Sequence, residues 1–401
     1  MDIGTGYGQP AGSSHLELMQ VGPGTPYGEV LRRYWHPVAL SADAATVPRQ
    51  LRILGEDLIL FRTRRGRPGL LTPGCAHRGA SLYYGGVEDD GIRCCYHGWV
   101  FDTEGNCLEQ PCEPDLGRFR DKARQPWYPV REYHGMIFAY MGPPDRKPAF
   151  PVYDVLEELG EGEFVLPDDT SLGGGGPEVL DFNWLLHWEN VVDPFHVPIL
   201  HARFSGNQFV PEMAIMPECM FTYTGQGVRV SSTRNLPDGR VLSRIADVVF
   251  PNIRLVASPK LSSAGPTPMI GWVVPFDDTT FKVFTLIRTD RPDVVKAERS
   301  RLIGKLWEDL TEAEHQRYPG DYESQRSQGP IPVQSREFLT TTDQGVAMLR
   351  RMMGKQIKAV AEGQDPVGVT FGADTAVYSV EAGNYFGSGK PATVTPSAAG
   401  R

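Results

Sequence analysis

The stretches Cys75-Ala76-His77-Arg78-Gly79 and Cys94-Cys95-Tyr96-His97-Gly98-Trp99, with sixteen residues between His77 and Cys94, decide how this chain is read. Each loop supplies one thiolate and one imidazole. Zinc takes such ligands tetrahedrally, but its usual finger pairs like residues within a knuckle and at a different spacing. Four residues that merely pack or titrate are the blander alternative. A knuckle that mixes Cys with His suits a cluster in which two thiolates hold one iron and two imidazoles the other. Exchanging two thiolates for neutral imidazoles makes such a site less negative, so its reduction potential rises and ordinary ferredoxins or flavins can reduce it.

Around the two loops, Leu51–Phe61 reads as two short strands joined at Gly55-Glu56-Asp57, and the strand-like run Met136–Tyr140 closes the module before Gly142-Pro143-Pro144. Upstream, residues 25–37 read as a short helix started by Thr25 with Pro26 in its first turn. Downstream, residues 145–180 are rich in Pro, Gly and acid, the clearest break in the chain. The expected organisation is an arm and helix over 1–37, an all-β module over 38–150, a linker over 151–178, a second domain over 179–387 and a disordered tail over 388–401. Within the second domain we expect a helix over 180–197, strands from about 219 to 290, a helix over roughly 293–315 and another from Asp343.

The 401 residues carry 44 Gly and 34 Pro, which favours a turn-rich, strand-containing architecture. A net charge of -9 argues against nucleic acid or an anionic membrane as partner and would suit a partner with a basic face. No run of apolar residues is long enough for a membrane span, and the first residues lack a secretory pattern. Five of the six cysteines fall between Cys75 and Cys112, a metal-site distribution more than a disulfide framework, and a reducing cytoplasm fits it.

A second constellation lies in Asn183-Trp184-Leu185-Leu186-His187-Trp188-Glu189-Asn190-Val191-Val192-Asp193-Pro194-Phe195-His196-Val197-Pro198-Ile199-Leu200-His201. Asp193 and His196 are helix neighbours at i,i+3. His201 stands about 140° further round an ideal helix, so convergence with His196 needs a bend, which Pro198 offers. Two imidazoles with a distant carboxylate make a facial triad for Fe(II) with open positions; a pair of satisfied structural histidines is the competing reading. Asn183 and Asn190 are candidates to hydrogen-bond near the metal, Asn183 also as a catalytic residue, or to be structural. His187, Trp99, Trp184 and Trp188 read as packing residues, and His36, His134 and His315 show no partner pattern.

The run from Cys75 to Asp102 resembles the Rieske motif of ring-hydroxylating and O-demethylating oxygenases. The resemblance covers roughly residues 25–370 and leans towards phthalate dioxygenase, phenoxybenzoate dioxygenase and aryl ether O-demethylases. Ala76 and Cys95 stand where the family often has Pro. The first loop has no second Cys, so the disulfide of respiratory Rieske proteins cannot form. The resemblance implies an α+β fold: an all-β Rieske domain, then a catalytic domain with a central antiparallel sheet flanked by helices, helix-grip-like. It implies a [2Fe–2S] cluster on Cys75, Cys94, His77 and His97, and a mononuclear Fe(II) on His196 and His201.

The segment from Gly320 to Ile331 resembles the downstream stretch of phthalate-dioxygenase-like members that precedes motifs present here as Arg336-Glu337-Phe338-Leu339 and Thr342-Asp343, and registering it on Ser327-Gln328-Gly329 gives the third ligand that the resemblance implies. This selects Asp321, with Glu323 as fallback and a solvated surface acid as the bland reading. Asp193 is implied to bridge electrons from a cluster histidine of a neighbouring subunit in a head-to-tail homotrimer. The cluster would store one electron and the mononuclear iron supply another for O₂. No dinucleotide-binding or plant-type ferredoxin motif is found, so NAD(P)H would be oxidised on a separate reductase, with or without a ferredoxin. The implied substrate is a small aromatic compound, often a carboxylate, that is hydroxylated or oxidatively O-demethylated. The competing class is a Rieske electron carrier without oxygenase activity; a zinc hydrolase built on His196, His201 and Asp321 is a third.

Overall fold

Turn residues cut the first 150 residues into short strands. In this computed structural model, residues 12–388 are described apart from 173–174, 207, 262–263 and 294–301. Most of the expected tail and the first eleven residues of the arm lie outside them. Helix Pro26–Leu31 follows Thr25 as the sequence predicts but stops six residues short of the expected end, and residues 35–37 are strand instead. Strand β1 (Trp35–Leu40) comes next, then β2 (Arg49–Ile53) and β3 (Glu56–Arg62). The β2–β3 hairpin turns on Leu54 and Gly55, both at positive φ (48° and 79°), the primed-turn geometry that matches strand twist.

Strands β4 (Pro68–Leu71), β5 (Gly86–Val87), β6 (Gly91–Arg93), β7 (Val100–Asp102), β8 (Cys107–Glu109), β9 (Trp127–Tyr128), β10 (Val130–Tyr133) and β11 (Met136–Tyr140) complete the module. They form three antiparallel sheets in orders β1-β11-β10, β2-β3-β4-β9 and β5-β6-β7-β8. A separate small core of Ile59, Phe61, Leu71, Leu82, Ile92 and Phe101 backs Cys75 and Cys94.

Beyond residue 149 the expectation of a linker over 151–178 is corrected. Strand β12 (Phe150–Tyr153) pairs in parallel with a strand near the far end of the chain, Thr375–Tyr378. Strand β13 (Phe164–Asp168) is the edge of the large sheet, opposite Thr285–Thr289. Pro167 does not disqualify it, because an edge strand tolerates a missing N–H. The large sheet continues with β14 (Glu218–Tyr223), β15 (Gly227–Asn235), β16 (Arg240–Val249), β17 (Ile253–Val256), β18 (Gly265–Pro266), β19 (Met269–Pro275) and β20 (Phe281–Thr289). After β21 (Thr375–Tyr378), β22 (Gly383–Ser388) completes it. Its order is β13-β20-β19-β17-β16-β15-β14, with β22 on β16 and β18 on β22.

One hydrophobic core joins this sheet to the first module, running from Leu18 and Tyr27 through Phe138 and Phe150 to Trp272 and Met353. Trp272 meets Phe138 and Tyr153 edge-on at ring-centroid distances of 5.3 and 5.8 Å.

Two helical expectations are also corrected. The segment 180–197 is not one helix: an α-helix covers Trp184–Asn190, and a π-helix covers Val197–Phe204. Of the helix expected over 293–315, residues 294–301 lie outside the description, and 302–311 hold only an isolated bridge and a 3₁₀ turn. Pro292 and Asp293 are α-helical, and the next described α-helix is Glu312–Arg317, started by Thr311, whose hydroxyl accepts from Glu314 N. The final helix, Gln344–Ala361, begins after Asp343 and buries Leu349, Met353 and Val360 on one face.

His36, on β1, is fully buried at the junction of the two parts. Its Nε2–H donates to Leu31 O at 2.7 Å, and Nδ1 lies 3.3 Å from Asn252 Nδ2. Burial lowers its pKa from 6.5 to about 4. The folded state therefore holds the neutral ring, while the unfolded chain takes up a proton below pH 6.5. Stability from this residue is complete above that pH and falls away towards pH 4. Between pH 7 and 5 the loss is about 2 kcal/mol from the linkage slope. Urea unfolding at both pH values should show the wild type losing about that much more than His36→Gln; equal losses would contradict this.

Candidate active site

The two cysteine loops share one backbone frame. Gly79 N donates to Cys75 O at 2.8 Å and Gly98 N to Cys94 O at 3.1 Å. Cys75 N reaches Ala80 O at 2.9 Å, and Cys94 N reaches Trp99 O at 2.8 Å. Gly79 and Gly98 sit at φ of 77° and 74°, a conformation that glycine adopts at no steric cost, so each chain reverses four residues past its Cys. Both thiols are buried and free of disulfides. Burial, with the neighbouring Cys94, pushes the Cys75 thiol up to about 11. The His77 and His97 rings lie 4.6 Å apart, and Trp99 stacks on His77 at 4.5 Å. Trp99 is half-buried, packed between the site and the small core behind it. Two buried thiols and two adjacent, partly exposed imidazoles on paired loops fit the donor set of a mixed Cys/His [2Fe–2S] cluster.

The second constellation converges through the π-helix. Its i→i+5 hydrogen bonding, visible in Ser205 N to Leu200 O at 2.8 Å, returns residues five apart to one face. Helix winding, more than a kink at Pro198, therefore brings His196 and His201 to a ring-centroid distance of 5.3 Å. Asp321 heads the helix Asp321–Arg326. Its Oδ1 lies 3.3 Å from His201 Nε2 and 3.8 Å from His196 Nε2. One ligand atom from each of the three residues falls within 4.8 Å of the other two.

The far nitrogens are already engaged. His201 Nδ1 donates to Gln208 Oε1 at 2.6 Å, and His196 Nδ1 donates to Asp193 O. These partners put the protons on Nδ1 and leave both Nε2 lone pairs facing Asp321, the arrangement that metal-binding histidines require. Burial would raise the Asp321 pKa, but positive charge on the facing rings, His201 and then His196, holds it well below the carboxylate range, and a bound cation in the same place would act in the same direction. Asn190 completes the ring, its Nδ2 3.3 Å from Asp321 Oδ1 and 3.4 Å from His196 Nε2.

Asp193 lies in the turn between the two helices. Its Oδ1 accepts from Phe195 N at 3.0 Å and its Oδ2 is 3.5 Å from His196 Nδ1, with 36% of the side chain exposed. Asn183 stands apart from the site. It caps helix Trp184–Asn190, accepting from Leu185 N at 3.1 Å and donating to Met19 O and Asp278 O at 3.2 and 2.6 Å. Its side chain is used in capping the helix and in tying it to Met19 of the arm and to the turn between β19 and β20, so the catalytic reading of Asn183 is corrected to a structural one.

Glu323 is excluded as a ligand in the same way. Its carboxylate accepts from Trp307 Nε1 (2.7 Å), His315 Nδ1 (2.8 Å) and Gly320 N (2.8 Å), which anchors the helix that presents Asp321. His315 thus has a partner that its sequence context did not show. Trp184 and Trp188 are fully buried core residues. Glu337 of the Arg336-Glu337 motif joins Glu189 in gripping Arg350, tying helix Gln344–Ala361 to helix Trp184–Asn190.

The three residues open onto a cavity of about 270 Å³ between the two helices and one face of the large sheet, near the lower end of ligand pockets. Its walls include Leu172, Val191, Phe209, Met213, Val230 and Met269. His187 also lines it. Burial and then Arg254 lower its pKa to about 3; its Nδ1 is 3.2 Å from Gln325 Oε1, and its Nε2 has no hydrogen-bond partner among the described residues. Gln208 went unseen because a lone Gln carries no spacing signal.

Comparison with known proteins agrees with this geometry. Residues 34–120 match the Rieske [2Fe-2S] domain, which defines the class. Phenoxybenzoate dioxygenase subunit alpha of Ectopseudomonas oleovorans is 48% identical over 391 residues, covering 96% of this chain and 94% of the relative. The tert-butanol monooxygenase / tert-amyl alcohol desaturase oxygenase subunit of Aquincola tertiaricarbonis is 38% identical, covering 91% and 81%. NdmA of Pseudomonas putida CBB5, solved with caffeine, shares the fold at a TM-score of 0.64 and 21% identity, covering 88% of this chain and 99% of that one.

The chain belongs to the Rieske non-heme iron aromatic ring-hydroxylating oxygenases, and it is a terminal oxygenase subunit. It carries a [2Fe–2S] cluster and a mononuclear iron, uses O₂, and draws electrons from a separate reductase. Among the described residues no helix is long and apolar enough to cross a membrane.

Gln208 provides a test of the orientation argument. Gln208→Leu should weaken Fe(II) binding by about 10–100-fold, the usual cost of losing such a partner, while the cluster's visible absorption stays as in the wild type. Anaerobic Fe(II) titration measures it, and an unchanged affinity would contradict the role given to Gln208.

Proposed function

We propose that Cys75 and Cys94 hold one iron of the cluster and His77 and His97 the other, and that His196, His201 and Asp321 hold the mononuclear Fe(II). The observation that carries this reading is the convergence of two Nε2 atoms on one Asp321 oxygen, with both Nδ1 atoms already engaged. Three protein ligands on one side leave positions for O₂ and substrate, the chemistry that a facial triad supplies when iron is bound. Asn190 then steadies the Asp321 carboxylate from the cavity side.

Asp193 is the electron bridge in this reading. It holds His196 from behind and keeps an exposed edge that a cluster histidine of a second chain can reach. A head-to-tail homotrimer closes that contact three times. The electrons arrive from a reductase, directly or through a ferredoxin, and the protein acts in the cytoplasm.

The substrate is a small aromatic compound that is hydroxylated or oxidatively O-demethylated. The 48%-identical relative is by name a phenoxybenzoate dioxygenase subunit, and the largely apolar cavity above the triad suits a ring. The 38%-identical relative acts by name on tert-butanol and tert-amyl alcohol. The fold therefore does not demand a ring, and the lining residues decide the matter.

Anaerobically purified protein should contain about three irons and two sulfides per chain. His196→Ala should lose close to one iron and keep the cluster. Two irons in both proteins after Fe(II) reconstitution would leave only the electron carrier. Asp193→Asn should keep all three irons but re-oxidise its reduced cluster at least about 100-fold more slowly in the presence of O₂ and substrate, a barrier increase of roughly 2.7 kcal/mol. Wild-type re-oxidation in that variant would overturn the bridge, and a monomer in sedimentation analysis would overturn the trimer.

A further inference from the structure

The cavity wall facing the triad is built on strand alternation. Val230, Ser232 and Arg234 on β15 share one face, as do Arg244 and Ala246 on β16 and Arg254 and Val256 on β17. Register places Ser232 opposite Arg244, Val248 opposite Arg254, and Arg254 opposite Gly271 of β19. Three arginines thus face a largely enclosed space. Among the described residues the only carboxylates that line it are Asp193 and Asp321, both committed to the histidines.

The three arginines are not equivalent. Arg234 donates to Ile215 O at 3.0 Å and Ser232 Oγ at 3.2 Å. Arg244 donates to Ser258 O at 3.2 Å, Asn384 Oδ1 at 2.9 Å and Ala257 O. These neutral acceptors satisfy N–H groups but cancel no charge. The Arg254 side chain makes no hydrogen bond and no close ion pair with any described residue; Asp321 and then Asp168 act on its charge only through space. Its side chain fits only because its neighbour across the sheet is glycine: a Cβ on Gly271 would stand 2.8 Å from Arg254 Nε.

Burying a cation without a counter-charge is costly. Bound Fe(II) would add to the positive charge, so the cavity is short of an anion when the enzyme is loaded. A bracing role accounts for Arg234 and Arg244 in part. It leaves Arg254 unexplained.

We propose that Arg254, with Arg244 and Arg234 extending the same wall, forms an anion subsite that takes the carboxylate of an aromatic acid and so fixes which part of the ring system faces the iron. A guanidinium presents paired N–H groups that match a carboxylate bidentately, and with all its donors unengaged Arg254 is the anchor. The proposal rests on the oxygenase reading above and names its substrate class. Arg254 is a binding and specificity residue here; the neighbouring apolar wall grips the ring.

The test is equilibrium binding by calorimetry under nitrogen to iron-replete protein. The probes are benzoate and 3-phenoxybenzoate, each against its neutral amide. In the wild type at least one acid should bind about tenfold or more tightly than its amide, and in Arg254→Gln that preference should fall below about threefold. Arg254→Lys should keep part of it. Gly271→Ala, which crowds the guanidinium without removing it, should erode the preference in the same direction and serves if Arg254→Gln fails to hold its cofactors.

Amides that match the acids in the wild type, acids that fail to bind at about 10 mM, or an undiminished preference in Arg254→Gln would each overturn the subsite. Iron and sulfide content, measured on the same samples, reports separately on the oxygenase reading. Full iron with no acid preference would sink only the subsite. A missing third iron would sink the triad.

Discussion

A carboxylate placed between two imidazoles organises the second half of this protein. Asp321 is largely withdrawn from water, and the nearest groups to its Oδ1 are two Nε2 atoms that carry no proton when both rings are neutral, plus the amide of Asn190. Such a grouping is stable only with a cation at its centre, a metal ion or a proton taken up by an imidazole. The reading proposed above takes that cation to be the metal. Gln208 and the Asp193 carbonyl hold the Nδ1 protons, and the Glu323 anchor fixes the helix that begins at Asp321. The Glu189–Arg350–Glu337 grip holds helix Trp184–Asn190 against Gln344–Ala361. A site built this way depends on contacts from helices far apart in sequence, and its stiffness comes from them.

The first module solves a different problem with local means. Both cysteine loops close on their own backbone within five residues, using a glycine at positive φ. Little tertiary structure is needed to shape them, and a small core of their own backs them. The larger core then runs without a break from the arm helices through β11 into the large sheet.

How much could be read in the sequence follows from this contrast. Cys75, His77, Cys94 and His97 declare themselves because their chemistry and spacing are contained in one short stretch. His196 and His201 were visible as a pair, but the i→i+5 winding that joins them was not, since the same residues fit a kinked α-helix. Asp321 emerged only through a family resemblance. Glu323, two residues away, stood as the fallback for a slipped register, and Trp307 and His315 occupy it. Strand β13 lay hidden in a Pro- and acid-rich stretch because an edge strand escapes the usual demands on composition. Arg254 was invisible for the opposite reason: an arginine in an alternating strand reads as a solvent-facing residue, and only the sheet register shows that this face is enclosed.

Anomalous diffraction at the iron absorption edge, from crystals of anaerobically prepared protein, tests the central claim most directly. The account predicts density for two irons between the Cys75 and Cys94 loops, and a separate single iron bounded by His196, His201 and Asp321. Iron confined to the loops in fully reconstituted crystals, or a single iron held by a different set of side chains, would contradict it.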